Sequence, residues 1–230
     1  MKLITVIHII NKNIEFIVKQ CKKAFDGGTF GIFLIPYSSE INPEDVNEIY
    51  YQVRNKYKNN FIGLNYLADI DEYINIIPPC VSAIWTDEGI GNENNYYLIE
   101  KINSIKKELG FLYFGGFYHK GNNYNFKISD VYNNKNSALK LIDILTTTGL
   151  GTGIEIEEKI YKIITNNIPT KKLAIASGLD ASNIHKYRNK IGYAIVGSSL
   201  EETNDVGSIK RGYICKNKIK DFIKASYKLI

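Results

Sequence analysis

Short apolar runs alternate with longer segments in which apolar residues recur at helical spacing, and the alternation continues along the whole chain. Runs of the first kind read as strands buried on both faces, and their alternation with helices implies a parallel sheet. The expected strands are Leu3–Ile9, Phe30–Ile35, Phe61–Tyr66, Val81–Trp85, Phe111–Phe117, Ile142–Thr146, Leu173–Ala176 and Tyr193–Val196. Between them the spacing predicts a helix over Ile14–Phe25, stopped by Gly27 and Gly28, and one opening at Pro43 after Asn42 and running to about Tyr57. Further helices are expected over Asp69–Ile76, Tyr96–Leu109, Glu155–Thr165, Ser182–Lys190 and Lys216–Leu229. After the fifth strand, Tyr124–Asn136 is polar and only Ser137–Leu141 has a helical pattern.

Eight strand–helix units in 230 residues predict a single (β/α)8 TIM barrel, one α/β domain over 1–230. That length is close to the ~250 residues typical of the fold. An open doubly wound sheet is the alternative, but it calls for a Gly-rich loop after the first strand, and VIHIINKN has none.

Composition narrows the function classes. Hydrophobic residues at 44% and charged residues at 23% are enough for a sizeable core without disulfide or metal staples. The formal net charge is +5, but Lys and Arg are scattered, which argues against a nucleic-acid partner. The three cysteines are far apart and show no zinc spacing, so neither a metal nor a cofactor is implied and reduced thiols in a cytoplasmic protein are expected. MKLITVIHII lacks the arrangement of a signal peptide, and no stretch approaches the ~20 apolar residues that cross a bilayer. No membrane partner is expected; the oligomeric state is open, with a homo-oligomer compatible.

In a barrel of this kind, residues just past the C-terminal strand ends face the site. Ser177-Gly178 ends the seventh strand and Gly197-Ser198-Ser199 the eighth. Glycine admits close backbone approach, and serine adds hydroxyl donors, as a phosphate requires. The alternative is that these glycines only turn tight corners. The loop after the sixth strand carries Thr148, Gly149, Gly151, Thr152 and Gly153, a substrate loop or a plain connector; without a following Gly-Lys-Ser/Thr it is no P-loop.

Asp87, beside Glu88, is placed for general acid or base work, or else caps a helix. His8 ends the first strand, and His119 and Lys120 follow the fifth, all suited to proton transfer unless they are structural. Asn65 ends the third strand and offers a ligand both amide groups, with Tyr37 and Ser38 as weaker candidates. His185 is expected at the surface, away from the mouth.

The segments WTDEGI, TTTGLGTG, ASGLDASNI and GYAIVGSSLEE, in that order, resemble the BtpA family of barrels. The matching positions are Thr86-Asp87-Glu88-Gly89, Thr148 to Gly153, Ser177-Gly178 through Asn183, and Gly197-Ser198-Ser199, with a similar tail at GSIKRGYICKNKIKDFI. The resemblance implies a ribulose-phosphate-binding type of barrel. GIFLIPYSSEINPEDVNEI is also similar to phosphoribosylanthranilate isomerase, but that enzyme's first-strand KxCG motif is absent, and the likeness is set aside. The expectation is a binder of a phosphorylated sugar or nucleotide-like metabolite, acting as an isomerase, a lyase or a glycosidic-bond-cleaving enzyme. The alternative is a non-catalytic assembly factor on an inherited barrel, consistent with a family named for photosystem accumulation.

Overall fold

The structure, a computed structural model, describes residues 1–87, 96–116, 141–151 and 153–227. The eight apolar runs form strands β1 (Lys2–Ile9), β2 (Gly31–Pro36), β3 (Phe61–Leu64), β4 (Ala83–Thr86), β5 (Leu112–Gly116), β6 (Ile144–Thr147), β7 (Leu173–Ala176) and β8 (Tyr193–Val196). They close in sequence order, and all are parallel, with β8 returning to pair with β1 through Leu3↔Ala194 and Thr5↔Val196. The chain is therefore a single TIM barrel over its described length.

The helices begin and end where local chemistry dictates. Helix α1 (Ile14–Gly27) starts where the Asn13 side chain accepts the Phe16 N–H, and it stops at Gly28, whose φ of 97° only glycine adopts freely. Helix α2 (Pro43–Lys56) opens on a reciprocal Asn42/Asp45 capping box with Pro43 in its first turn. Helices α3 (Ile70–Tyr73), α4 (Tyr96–Leu109), α5 (Glu158–Asn167) and α6 (Lys216–Ser226) follow.

Side chains alternate across each strand, so each strand feeds two cores. One parity fills the barrel interior, with Ile4, Val6, Phe33, Ile35, Trp85, Phe114, Ile144, Ala176 and Ile195 in one cluster. The other parity, including Leu3, Ile7, Ile32, Leu34, Ile84 and Val196, packs under the helices in the larger cluster. Burying each such aliphatic or aromatic side chain stabilises the fold by roughly 1.5–3 kcal/mol. The Phe33 ring meets Trp85 at 5.5 Å and Phe114 at 5.4 Å, which closes the interior below the mouth. Carrying the inward parity to the end of β1 and to the next inward position past the ends of β2–β4 and β6–β8 gives His8, Tyr37, Asn65, Asp87, Thr148, Gly178 and Gly197.

Two expectations are corrected. No α-helix forms over Ser182–Lys190; there is only a 3-10 turn at Ile184–Tyr187. The Asp180 carboxylate accepts the N–H groups of Ser182 and Asn183, while Asn183 accepts the Asp180 N–H and donates to the Gly178 carbonyl. These local bonds hold a compact turn in place of a helical start. The helix after β6 begins at Glu158, not Glu155, because the Glu155 carboxylate accepts from the Tyr187 hydroxyl at 2.6 Å and the Lys186 ammonium at 3.1 Å.

Between β8 and α6 lies a hairpin that periodicity did not indicate, β9 (Glu201–Thr203) paired antiparallel with β10 (Ile209–Ile214). The hairpin is anchored to the barrel: the Gln20 side chain of α1 accepts the Ile214 N–H, and the Cys215 N–H reaches the Leu200 carbonyl. A Cβ at Gly212 would lie 3.1 Å from the His8 carbonyl oxygen, so that glycine lets β10 pass directly over the end of β1.

The expected helix over Ser137–Leu141 lies, apart from Leu141, outside the described residues, as do Tyr124–Asn136, Glu88, Gly89, His119, Lys120 and Thr152. No helix among the described residues is long and apolar enough to cross a membrane.

Candidate active site

A cavity of about 490 Å³ opens at the C-terminal end of the barrel, and its floor includes Val6, Ile35, Trp85 and Ala176. Of the residues singled out from sequence, His8, Asn65, Asp87, Thr148, Gly153, Ser177, Gly178, Gly197, Ser198 and Ser199 line it, as does Tyr37. Gly149 and Gly151 do not. His185 sits half-buried in the 3-10 turn, also away from the cavity.

The β1 side of the mouth is organised by a carboxylate that sequence reasoning missed. Glu201 is fully buried, with Oε1 2.8 Å from His8 Nδ1 and accepting the Gly212 N–H at 2.7 Å. Its Oε2 accepts from Arg211 Nη1 at 2.8 Å. A buried carboxylate is tolerated only when its lone pairs are satisfied, and here the donors come from β1 and β10. Arg211 Nη1 also donates to Ser198 Oγ at 2.7 Å, and the guanidinium lies 5.0 Å from the Tyr37 ring centre. The same Tyr37 ring meets the His8 imidazole edge-on at 5.5 Å.

Across the mouth, the Asn65 carbonyl oxygen accepts the Leu67 N–H at 2.7 Å, which orients its amide toward Asp87 Oδ1 at 3.4 Å. Below them, the buried Thr86 and Tyr113 hydroxyls share a 2.9 Å bond, and burial pushes the Tyr113 phenol up to about 12. Gly116 is a steric requirement of this side, since a Cβ there would fall 1.6 Å from the Asp87 carbonyl oxygen.

The loops after β6, β7 and β8 are built differently from the expectation of serine donors aimed at a ligand. Ser177 Oγ donates to the Gly151 carbonyl at 2.9 Å and accepts the Gly153 N–H at 3.0 Å, and Ser177 itself is held at a φ of 102°. Ser199 Oγ donates to the Leu179 carbonyl, and Thr148 Oγ1 to the Gly149 carbonyl. The two serine protons pin neighbouring loops together, and the Thr148 proton stays within its own loop. Gly149 and Gly178 sit against the chain at Ile154 and Glu155: added Cβ atoms would lie 2.0 and 2.3 Å from the Ile154 carbonyl oxygen. The glycines are thus required by loop packing. The donors these loops leave for a ligand include the backbone N–H groups of Ser198 and Ser199, which have no acceptor among the described residues.

No protein-family model and no curated protein matches the chain. Solved structures share its fold over nearly its whole length. Tryptophan synthase of Mycobacterium tuberculosis superposes with a TM-score of 0.69 at 9% identity, covering 99% of this chain and 93% of that one. Phosphoribosyl anthranilate isomerase of Thermococcus kodakaraensis gives 0.63 at 13% identity over 99% of both chains. Thiamine phosphate pyrophosphorylase of Bacteroides thetaiotaomicron gives 0.57 at 14% identity over 98% of both. At such identities the likeness is one of fold: the chain is a TIM barrel of the architecture these enzymes use.

Proposed function

We propose that this chain is an enzyme that binds a phosphorylated small metabolite in the barrel mouth and moves protons on it with His8 and Asp87. The phosphate lies against the loops after β7 and β8, where the Ser198 and Ser199 N–H groups, without an acceptor among the described residues, and the adjacent Gly197 backbone suit an anion. The carbon skeleton extends over the Trp85 floor toward Asp87.

The observation that carries the reading is the 2.8 Å contact between His8 and the buried Glu201 at the wall of the cavity. Glu201 engages the Nδ1 edge of the ring and fixes its orientation, which leaves Nε2 as the nitrogen available to a ligand. Isomerisation, lyase chemistry and glycosidic cleavage all use a base and an acid on different sides of the substrate, and His8 and Asp87 occupy different walls. His119 and Lys120, on the segment after β5, belong to the same proposal. So does the BtpA resemblance, which gathers Asp87, Thr148, Gly178 and Gly197 into one motif set. The names of two structural neighbours, phosphoribosyl anthranilate isomerase and thiamine phosphate pyrophosphorylase, add weight to the phosphate reading.

Thermal-shift screening against inorganic phosphate, ribose 5-phosphate, nucleoside monophosphates and unphosphorylated ribose tests it. A ligand at a hundred times its dissociation constant stabilises the native state by about 2.7 kcal/mol. The expected result is a raised melting temperature for phosphorylated compounds only, lost in Gly197→Asp, whose side chain would start 3.0 Å from His8 Cε1. Absence of a shift with every phosphorylated compound overturns the reading and returns the barrel to an assembly role.

A further inference from the structure

Arg211 reaches the mouth from an element outside the eight strand–helix units, and its donors are unevenly used. Nη1 donates to Glu201 Oε2 at 2.8 Å and to Ser198 Oγ at 2.7 Å, which accounts for both of its hydrogens. Nε and Nη2 have no acceptor among the described residues, although the residue lines the cavity and its side chain is only 23% exposed. Those two nitrogens form the side-on fork of a guanidinium, which matches a pair of oxygens on one oxyanion. Packing against the Tyr37 face leaves the in-plane donors open.

The geometry points to Arg211 as the specificity-determining residue of the cavity, taking two oxygens of an oxyanion on the ligand through its Nε/Nη2 fork, with Glu201 as its positioning residue. The inference rests on the proposed anion site and adds to it the reader of the ligand's charge. The backbone N–H groups at Ser198 and Ser199 are neutral donors that also serve an uncharged hydroxyl, whereas a partly desolvated guanidinium rewards charge. Glu201 satisfies Nη1 and, through the Gly212 N–H and the Lys218 ammonium on its own carbonyl at 2.7 Å, fixes the hairpin that carries the arginine. It also offsets part of the arginine's charge, so a singly charged, weakly paired ligand gains little there. A phosphate monoester and a carboxylate share the recognised chemistry.

The test is calorimetric titration of wild type, Arg211→Gln and Arg211→Lys with ribose 5-phosphate, ribose and malonate. Ribose 5-phosphate is expected to bind wild type and to weaken roughly tenfold to hundredfold in Arg211→Gln, the range for losing hydrogen bonds to a charged group. Arg211→Lys keeps a charge beside Glu201 and retains the fold, but it lacks the fork; it is expected to lie between the two, with the preference for ribose 5-phosphate over ribose reduced. Equal affinity in all three proteins overturns the inference while leaving the phosphate site standing. Malonate binding in place of ribose 5-phosphate, lost in Arg211→Gln, keeps Arg211 and replaces the phosphate reading. No binding of any anion by wild type overturns both.

Discussion

His8 of the first strand and Glu201 of the hairpin stand 193 residues apart in sequence and 2.8 Å apart in space. The pair joins the two ends of the chain at the barrel mouth, so the site exists only once β8 has closed on β1 and the hairpin has folded over both. Stability and site geometry therefore share one carboxylate.

Replacing that carboxylate is expected to be costly. Glu201→Ala leaves the Arg211 guanidinium without its carboxylate partner and the Gly212 N–H without its acceptor, and breaking a buried pair from one side typically costs about 3–5 kcal/mol. Urea denaturation of the variant is expected to show a lower midpoint and an unfolding free energy reduced by that amount. A midpoint and unfolding free energy equal to wild type contradict the network.

The loop glycines are expected to separate by what they touch. Gly149→Ala drives a methyl to 2.0 Å from the Ile154 carbonyl oxygen, whereas Gly153→Ala meets nothing within 4 Å and carries only the strain of a φ of 79°. Gly153→Ala is expected to cost about 1 kcal/mol, and Gly149→Ala clearly more, because backbone must move. Equal melting temperatures for the two variants contradict the packing role.

Arg54 serves the opposite end of the barrel. It donates to the Tyr57, Lys58 and Asn60 carbonyls and to Ser82 Oγ, tying α2 to the start of β3 and the approach to β4. Arg54→Ala is expected to lower stability by about 1.5–3 kcal/mol, with ligand affinity unchanged when measured below its melting range. A selective loss of ligand affinity contradicts this division.

Alkaline stability follows from Tyr113, which burial pushes up to about 12 from the ordinary value of 10.0. A phenol whose folded value is raised contributes its full stability below the unfolded value and loses it as pH rises through the folded one. Between pH 10 and 12 the unfolded chain releases this proton and the native chain keeps it, so stability falls by about 1.4 kcal/mol per pH unit from this group. Tyr113→Phe is expected to flatten that part of the urea-midpoint profile. An unchanged slope contradicts the assignment.

Thiol labelling reads the same burial. Cys21 is fully buried and burial pushes its thiol above the ordinary range, whereas Cys80 is exposed. In native protein Cys80 is expected to react first and Cys21 only on unfolding.

The barrel was legible in the sequence because its strands are buried on both faces and announce themselves as apolar runs; β7 and β8 fall at the residues the pattern indicates. The strand-end rule then led to His8, Asn65, Asp87, Thr148, Gly178 and Gly197, all of which line one cavity. The hairpin was not legible. β9 spans three residues, two of them acidic, so Glu201 reads as solvent-facing, and nothing local says that a histidine and an arginine will bury it. The helix expected at Ser182 failed for a related reason: Asp180 and Asn183 supply capping chemistry, but they use it on each other. The bonds of Ser177 and Ser199 were not legible either, since a hydroxyl beside a glycine suits a ligand and a neighbouring carbonyl equally well.

The most direct measurement of the central claim is a crystal structure of the chain grown with ribose 5-phosphate. The account predicts phosphate density within hydrogen-bond distance of the Ser198 and Ser199 N–H groups and the Arg211 fork, with the sugar directed toward His8 and Asp87. An empty mouth, or phosphate seated instead in the lysine-lined groove beside Tyr161 and Lys190, would contradict it.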